Sequence, residues 1–184
     1  MNWQLILWIG IPVIVVLLIF RYIYRTYNEL IYHQIQVEKQ AAHLDAHLKK
    51  KFDLIPALSD VVKGYSKHEK GTFEEVTRLR SQWGKSKDID EKAKTANMLE
   101  GVLSKLLVVQ ERYPQLKADR SFQDIQKSIG WVERELVHER KVYNQRVKSY
   151  NVRLRLFPKN IVAKTFHFQE KPFYNRETEK ALNK

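Results

Sequence analysis

The chain has 184 residues, enough for one domain of ordinary size, and carries 33 Lys+Arg against 21 Asp+Glu, a formal net charge of +12 at pH 7. It contains no cysteine, which excludes disulfides, thiolate nucleophiles, iron–sulfur clusters and cysteine-based zinc sites. Only six Gly and five Pro interrupt this charge-rich sequence, so the composition favours long helices over sheets and tight turns.

The N-terminal segment is a predicted membrane anchor. Residues 1–20 contain no charged side chain and no histidine, and residues 3–20 are almost all apolar. As a helix, that run is about 27 Å long, close to the thickness of the hydrocarbon core of a bilayer. We therefore predict a transmembrane anchor over residues 1–21. The alternative is a cleaved signal peptide, but no basic region precedes the run and no small-residue cleavage site follows it. The side chains assigned to the membrane interfaces are Trp3, Arg21, Tyr22 and Arg25.

The flanking charges predict an orientation. Only Met1 and Asn2 precede the apolar run, whereas Arg21 and Arg25 follow it at once. Because basic flanks are retained in the cytoplasm, we expect the short N-terminus outside and the rest of the chain inside. A basic domain beside the inner leaflet also makes membrane lipid, including anionic lipid, an expected partner.

Apolar residues recur at helical spacing beyond the anchor. They predict four helices, over residues 21–51, 53–83, 88–113 and 119–157. The first is expected to continue directly out of the anchor and carries a heptad seam of the coiled-coil type. Either Asp119 or Ser121 is expected to cap the fourth, and Pro158 ends it. The seam residues of the first helix are Tyr27, Leu30, Gln34, Val37, Ala41, Leu44 and Leu48.

Long helices with short connections are typical of antiparallel bundles. We therefore predict an all-α protein, in which the N-terminal transmembrane helix is followed by an antiparallel up-and-down bundle of about four long helices over residues 22–158. No segment shows the alternation expected of a strand. Residues 159–184 are expected to form a tail, with a short helix within 160–168 and a disordered end.

Six short motifs follow one another along the chain. They are KFDLIP at 51–56, VKGYSKHE at 62–69, ERYPQLKA at 111–118, YN at 143–144 and again at 150–151, and FP at 157–158. In order and spacing they resemble the LemA family over residues 25–174. The resemblance implies a membrane-anchored bundle of long helices of poorly defined function, expected in the inner membrane of a bacterial cell, and it does not imply an enzyme. The motif positions, which it implies to be structural or docking residues, are Asp53, Pro56, Lys63, Gly64, Tyr65, His68, Glu69, Tyr113, Pro114, Tyr143, Asn144, Tyr150 and Asn151.

Histidines are the first candidates for chemistry. His43 and His47 lie one helical turn apart and would face the same way, an arrangement that suits a divalent ion. Because charged residues surround them in sequence, we favour a solvated polar face instead. His68, beside Glu69, is interpreted as a residue that caps or hydrogen-bonds across helices.

Two patterns on the fourth helix are also informative. The residues Glu133, Glu135 and Glu139, with Arg134 and Arg140, are interpreted as exposed ion pairs. The Tyr-Asn pairs at 143–144 and 150–151 repeat after seven residues and therefore share one helix face. Internal packing and register is the favoured interpretation of these pairs, and a docking ridge for another protein is the alternative.

No catalytic constellation emerges, so we predict no catalytic residue, no cofactor, no bound metal and no small-molecule substrate. The basic clusters at 49–51 and 63–70 come without a groove-reading motif, so nucleic acid is not an expected partner. The favoured function is a non-enzymatic scaffold or assembly factor at the membrane that binds a protein partner or itself. The alternatives are a self-assembling membrane-shaping protein and, less favoured, a metal-dependent enzyme that uses His43, His47 or His68.

Overall fold

The computed structural model of the chain describes residues 3–66, 70–85 and 89–174. Within these ranges the chain forms six helices and no strand, so the prediction of an all-α helical bundle is confirmed. The helices are α1 (Trp3–Tyr65), α2 (Lys70–Lys85), α3 (Ile89–Val109), α4 (Pro114–Ala118), α5 (Arg120–Arg155) and α6 (Lys159–Thr165).

Helix α1 is longer than the sequence predicts. It continues from the apolar run through Asp53 and Pro56 to Tyr65, so the expected break between residues 51 and 53 is wrong. A proline inside a helix costs about 3 kcal/mol. Around Pro56, however, α1 buries a continuous stripe, and each buried large apolar side chain contributes about 1.5–3 kcal/mol. The stripe residues, each at most 2% exposed, are Leu44, Leu48, Phe52, Ile55, Leu58 and Val62.

The rest of the predicted second helix forms α2, which packs against α3. The third helix was expected to continue to residue 113 but ends at Val109. There the N–H groups of Gln110 and Glu111 bond back three residues, and such bonds tighten and terminate a helix. Pro114 then begins α4, a position that suits proline because the first helical N–H has no partner within the helix.

The fourth predicted helix is confirmed as α5, and Asp119 rather than Ser121 caps it. The Oδ1 atom of Asp119 accepts a hydrogen bond from the N–H of Phe122 at 3.0 Å. The short helix predicted in the tail is confirmed as α6. The end of the tail, predicted to be disordered, falls in residues 175–184, which lie outside the described residues.

The chain divides into two compact units, and α1 and α5 contribute to both. The first unit comprises Met1–Lys39 and Gln145–Pro172, and the second comprises Gln40–Asn144 and Phe173–Lys184. The core of the first unit contains Leu30, Val37, Val147, Tyr150, Leu154 and Val162. In the second unit, contacts pair Gln40 with Glu139, Lys51 with Glu133 and Tyr65 with Asp119, so α1 and α5 are antiparallel there, as predicted.

The N-terminal part of α1 is the one described helix that is long and apolar enough to cross a membrane. Only 6% of its most apolar window is buried by protein, whereas the core helix of a soluble protein is mostly buried. The first buried side chain that follows the run is Thr26. The run is thus an apolar surface that the described protein does not cover.

A buried lysine joins three helices of the second unit. Lys51 on α1 is 0% exposed, and its Nζ atom lies 3.2 Å from Oε1 of Glu100 on α3 and also contacts Glu133 on α5. Arg140 on α5 lies beside the same acid, with Nη2 at 3.8 Å from Oε1 of Glu100. Because an unpaired buried charge is strongly destabilising, these ion pairs fix how α1, α3 and α5 meet.

We expect Lys51→Met to lower the free energy of unfolding of the full-length chain in detergent by about 3 kcal/mol, because the substitution removes the buried cation that contacts both Glu100 and Glu133. Chemical denaturation followed by circular dichroism measures the loss. The matched control is Lys49→Met, an exposed lysine on the same helix, which should stay within about 0.5 kcal/mol of the parent. Equal effects of the two substitutions would contradict the role given to Lys51.

Candidate functional site

Two asparagines on α5 hold the extended segment that follows α6. The side-chain amide of Asn151 donates to the carbonyl oxygen of Lys171 at 2.9 Å, and its Oδ1 accepts from the Lys171 N–H at 3.0 Å. Asn144 makes the same two bonds with Tyr174, at 3.2 and 2.8 Å. Each amide therefore pairs with the segment as a neighbouring strand would.

The tyrosines of the same motifs are buried. Tyr143 is 3% exposed and Tyr150 is fully buried. Burial raises the pKa of Tyr150, and the carboxylate of Glu38 raises it further. Tyr150 also lines a cavity of about 330 Å³ in the first unit, together with Tyr27 and Phe168. In the described residues, the Tyr-Asn repeat therefore packs internally and binds the C-terminal segment of its own chain.

A further motif residue joins the end of α1 to the start of α5. The hydroxyl of Tyr65 donates to Oδ2 of Asp119 at 2.8 Å. The N–H of Phe122 and the Tyr65 hydroxyl both hold the pKa of Asp119 below its usual value. The same hydrogen bond raises the pKa of Tyr65. Asp119 thus serves as helix cap and as the contact between two helices.

The remaining motif residues do not converge on one site. Lys63 pairs with Asp60 on its own helix at 2.9 Å, and Asp53 and Gly64 are exposed. The half-buried residues Pro56 and Tyr113 belong to different elements, and Pro114 is the first residue of α4. The motif residues His68 and Glu69 lie outside the described residues.

The residues predicted at the membrane interfaces lie on α1. Arg21, Tyr22 and Arg25 are exposed and follow the uncovered apolar run directly. Trp3 is the first residue of α1, but its side chain lies outside the described part of the structure.

An acidic residue just beyond this basic flank joins helices of the first unit. Oε1 of Glu29 accepts hydrogen bonds from Nζ of Lys159 at 2.6 Å and from Nε of Arg153 at 3.2 Å. The Lys159 hydrogen bond is the main reason that the pKa of Glu29 lies below its usual value, and Arg153 contributes. Burial, helped by the charge of Arg153, lowers the pKa of the nearby His33.

The glutamates of α5 do not form the exposed ion pairs expected from the sequence. Glu133 pairs with the buried Lys51, and the partner of Arg140 is Glu100 of α3. That interpretation is therefore wrong, because the spacing on α5 did not reveal which acids point toward other helices.

Two other glutamates of α5 meet a histidine of α1. Glu135 and Glu139 are half-buried. One carboxylate oxygen of each and a ring nitrogen of His47 all lie within 4.8 Å of one another. His43, which the sequence placed beside His47, is exposed. Sequence analysis missed this cluster because its members come from helices far apart in the chain.

The outward face of α5 in the second unit is basic. Between residues 127 and 141, the acidic residues are half-buried, and no acidic residue is exposed. The exposed residues of this face, which we call the basic face, are Lys127, Trp131, Arg134, Val137, His138 and Lys141. Its cations Lys127, Arg134 and Lys141 recur every seven residues, a spacing that is visible in the sequence.

These observations define a class of protein, an all-α helical bundle with one N-terminal helix apolar enough to cross a membrane. A family profile matches residues 40–184, and the chain belongs to the LemA family. The resemblance inferred from the short motifs is thereby confirmed. The chain is similar to Protein LemA of Metamycoplasma hominis, with 25% identity over 138 residues, which are 74% of this chain and 63% of that protein. The match thus spans less than two thirds of the length of the curated relative.

We expect Asn151→Ala to destabilise the full-length chain by about 1–3 kcal/mol, because it removes two hydrogen bonds and leaves the backbone groups of Lys171 without partners. Denaturation measures this loss, and hydrogen exchange should show faster exchange of the Lys171 amide. The control is Asn28→Ala, at an exposed position of α1, where neither quantity should change. Unchanged exchange at Lys171 in Asn151→Ala would contradict the proposed contact.

The stabilisation from Glu29 should depend on pH. Its pKa is lowered in the folded chain, so the contribution is present above the unfolded pKa of about 4.3 and is lost as the pH falls through the lower folded value. At pH 7, Glu29→Gln should cost about 0.5–1 kcal/mol, since the group is partly exposed. Denaturation at pH 7 and pH 3 tests this prediction. The difference in the free energy of unfolding between Glu29→Gln and the parent should be smaller at pH 3 than at pH 7. The control is Asp124→Asn, which replaces an exposed acid. Its free energy of unfolding at pH 7 should be close to that of the parent.

Proposed function

We propose that the chain is a single-pass, membrane-anchored scaffold without enzymatic activity, and that its basic face holds an acidic protein partner at the inner membrane of a bacterial cell. The observation that carries the proposal is the continuity of α1. One unbroken helix contains both the uncovered apolar run and the buried stripe of the second unit. Insertion of the run therefore anchors the whole chain to the membrane.

The apolar run supports the anchor. Every large apolar side chain from Trp8 to Phe20 is at least 47% exposed. Transfer of these side chains from water into hydrocarbon is favourable by on the order of 15 kcal/mol, since burying each contributes about 1.5–3 kcal/mol. All backbone groups of the run are within a helix, as a spanning segment requires. A bilayer is the environment that suits this surface.

The positive flank supports an orientation with the second unit in the cytoplasm. Because the chain contains no cysteine, single cysteines report their location without background. We expect Val137→Cys, on the exposed face of α5, to react with a membrane-impermeant maleimide only after spheroplasts are permeabilised. Asn2→Cys should react in intact spheroplasts. Labelling of Val137→Cys in intact spheroplasts would contradict this orientation.

The basic face supports an acidic partner. Its cations Lys127, Arg134 and Lys141 lie about 10.5 Å apart along the helix, the repeat that a partner helix with acidic heptad positions presents. Charge complementarity of this kind steers association and selects partners. The exposed Trp131 lies between two of these cations, and tryptophan is enriched among residues that dominate binding energy.

A photo-cross-linking amino acid at Val137, in the full-length chain in native membranes, tests the basic face. We expect one partner in stoichiometric yield, and at least a tenfold loss of that product when Lys127, Arg134 and Lys141 are all replaced by Glu. The matched control replaces three exposed cations elsewhere in the second unit, Arg80, Lys94 and Lys117, by Glu and should keep the product.

Two outcomes of the same experiment would count against the scaffold. If both triple variants lose the cross-linked product equally, the basic face is not the binding site for the partner. A ladder of the chain cross-linked to itself would favour the alternative, a self-assembling protein that shapes the membrane.

A further inference from the structure

Three side chains with metal-binding atoms converge on the inner side of α5 in the second unit. Glu135 and Glu139 lie one turn apart on α5, and His47 faces them from α1. One ligand atom of each lies within 4.8 Å of the other two, and all three side chains are half-buried. Two carboxylates and an imidazole therefore meet at a place only partly open to water.

In the described part of the chain, no lysine or arginine forms an ion pair with either carboxylate, although the chain carries a net charge of +12. Glu139 accepts a hydrogen bond from the amide of Gln40 instead. Lys50 lies over the ring of Trp131, 4.1 Å from its centroid. Like charges four residues apart on a helix repel, so a positive ion at this place would stabilise the arrangement.

The histidine provides a second, independent observation. The Nδ1 atom of His47 is buried, and no group in the described part of the chain hydrogen-bonds to it. Buried polar atoms nearly always have a partner. The ring of His47 also packs against Trp131, with 5.8 Å between ring centroids, which restricts its orientation. The imidazole is thus held beside the two acids with a nitrogen that is not otherwise used.

We infer that His47, Glu135 and Glu139 form a binding site for a divalent transition-metal ion of the zinc type. An imidazole nitrogen and carboxylate oxygens are ligands that Zn²⁺ accepts, and three protein ligands leave a fourth position for water. The imidazole disfavours Mg²⁺ and Ca²⁺, which prefer oxygen ligands alone. Gln40 would orient Glu139 through its hydrogen bond, as outer groups orient ligating carboxylates. Ligand atoms of a tetrahedral Zn²⁺ ion lie about 3.4 Å apart, so small side-chain rotations complete the site.

The ion would link α1 to α5 and stabilise the folded chain, because the site exists only when the two helices are packed together. This role is structural and is independent of the proposed scaffold function. It also differs from the sequence-based expectation of no bound metal, which considered His47 only with His43 on the same helix.

The test uses the full-length chain, purified in detergent without a histidine tag and stripped of metal. Calorimetric titration with Zn²⁺ should give one ion per chain, and Zn²⁺ in hundredfold excess over its dissociation constant should raise the Tm by several degrees. Co²⁺, which replaces Zn²⁺ and has visible absorption bands, should report a site with one nitrogen and several oxygen ligands. Absence of stoichiometric Zn²⁺ binding would overturn the inference.

Variants distinguish the site from adventitious binding to surface histidines. His47→Ala, Glu135→Gln and Glu139→Gln should each lower the Zn²⁺ affinity at least tenfold and abolish the rise in Tm. His43→Ala, which removes an exposed histidine one turn away, should leave both unchanged. If His47→Ala does not fold, Glu135→Gln and Glu139→Gln still test whether Zn²⁺ binds at this site, because they keep the side-chain volume. An equal effect of His43→Ala and the glutamate variants would overturn the inference.

Discussion

A buried lysine that contacts acids of two other helices constrains how the second unit packs. Lys51 has no exposed surface, and Glu100 of α3 and Glu133 of α5 are its charged partners. Removing an ammonium from water costs several kcal/mol, so α1, α3 and α5 must meet with these side chains in contact. The apolar stripe of α1 supplies most of the burial, but apolar packing alone tolerates several arrangements. The ion pairs select one of them.

This constraint also determines the surface of α5. Glu133 contacts Lys51, and Glu135 and Glu139, which lie one turn apart on α5, are near His47. The acids of this stretch are therefore withdrawn from solvent, and the cations of the basic face are left exposed without them. The mixed-charge sequence of this helix thus presents a positive surface, and two of its half-buried acids, Glu135 and Glu139, contribute to the candidate metal site.

Much of the fold follows from the sequence alone, because helical spacing and apolar runs are local signals. The all-α class, α5 and α6 were predictable in this way, and the cap of α5 was narrowed to Asp119 or Ser121. The continuity of α1 through Pro56 was not, because propensity favours a break and only tertiary burial opposes it. Lys51 occurs within three consecutive lysines that read as an exposed cluster. Its place seven residues after Leu44 on the buried stripe was the signal that distinguished it.

The candidate sites were less predictable than the fold, because they depend on contacts between distant parts of the chain. The Tyr-Asn repeat indicated a shared helix face, but not that Asn144 and Asn151 pair with the backbone of a later segment. His47 meets glutamates of another helix, which spacing on α1 does not reveal. Family membership identifies a class of helical proteins but does not specify these contacts.

We propose that the uncovered run of α1 lies in a bilayer and fixes the chain to it. Retention of the full-length chain in native membranes washed with alkaline carbonate tests this most directly. We expect the chain to stay in the membrane pellet. Leu17→Arg combined with Leu18→Arg, which adds about 6 kcal/mol to the cost of insertion, should release it. Release of the unaltered chain into the supernatant would contradict the claim.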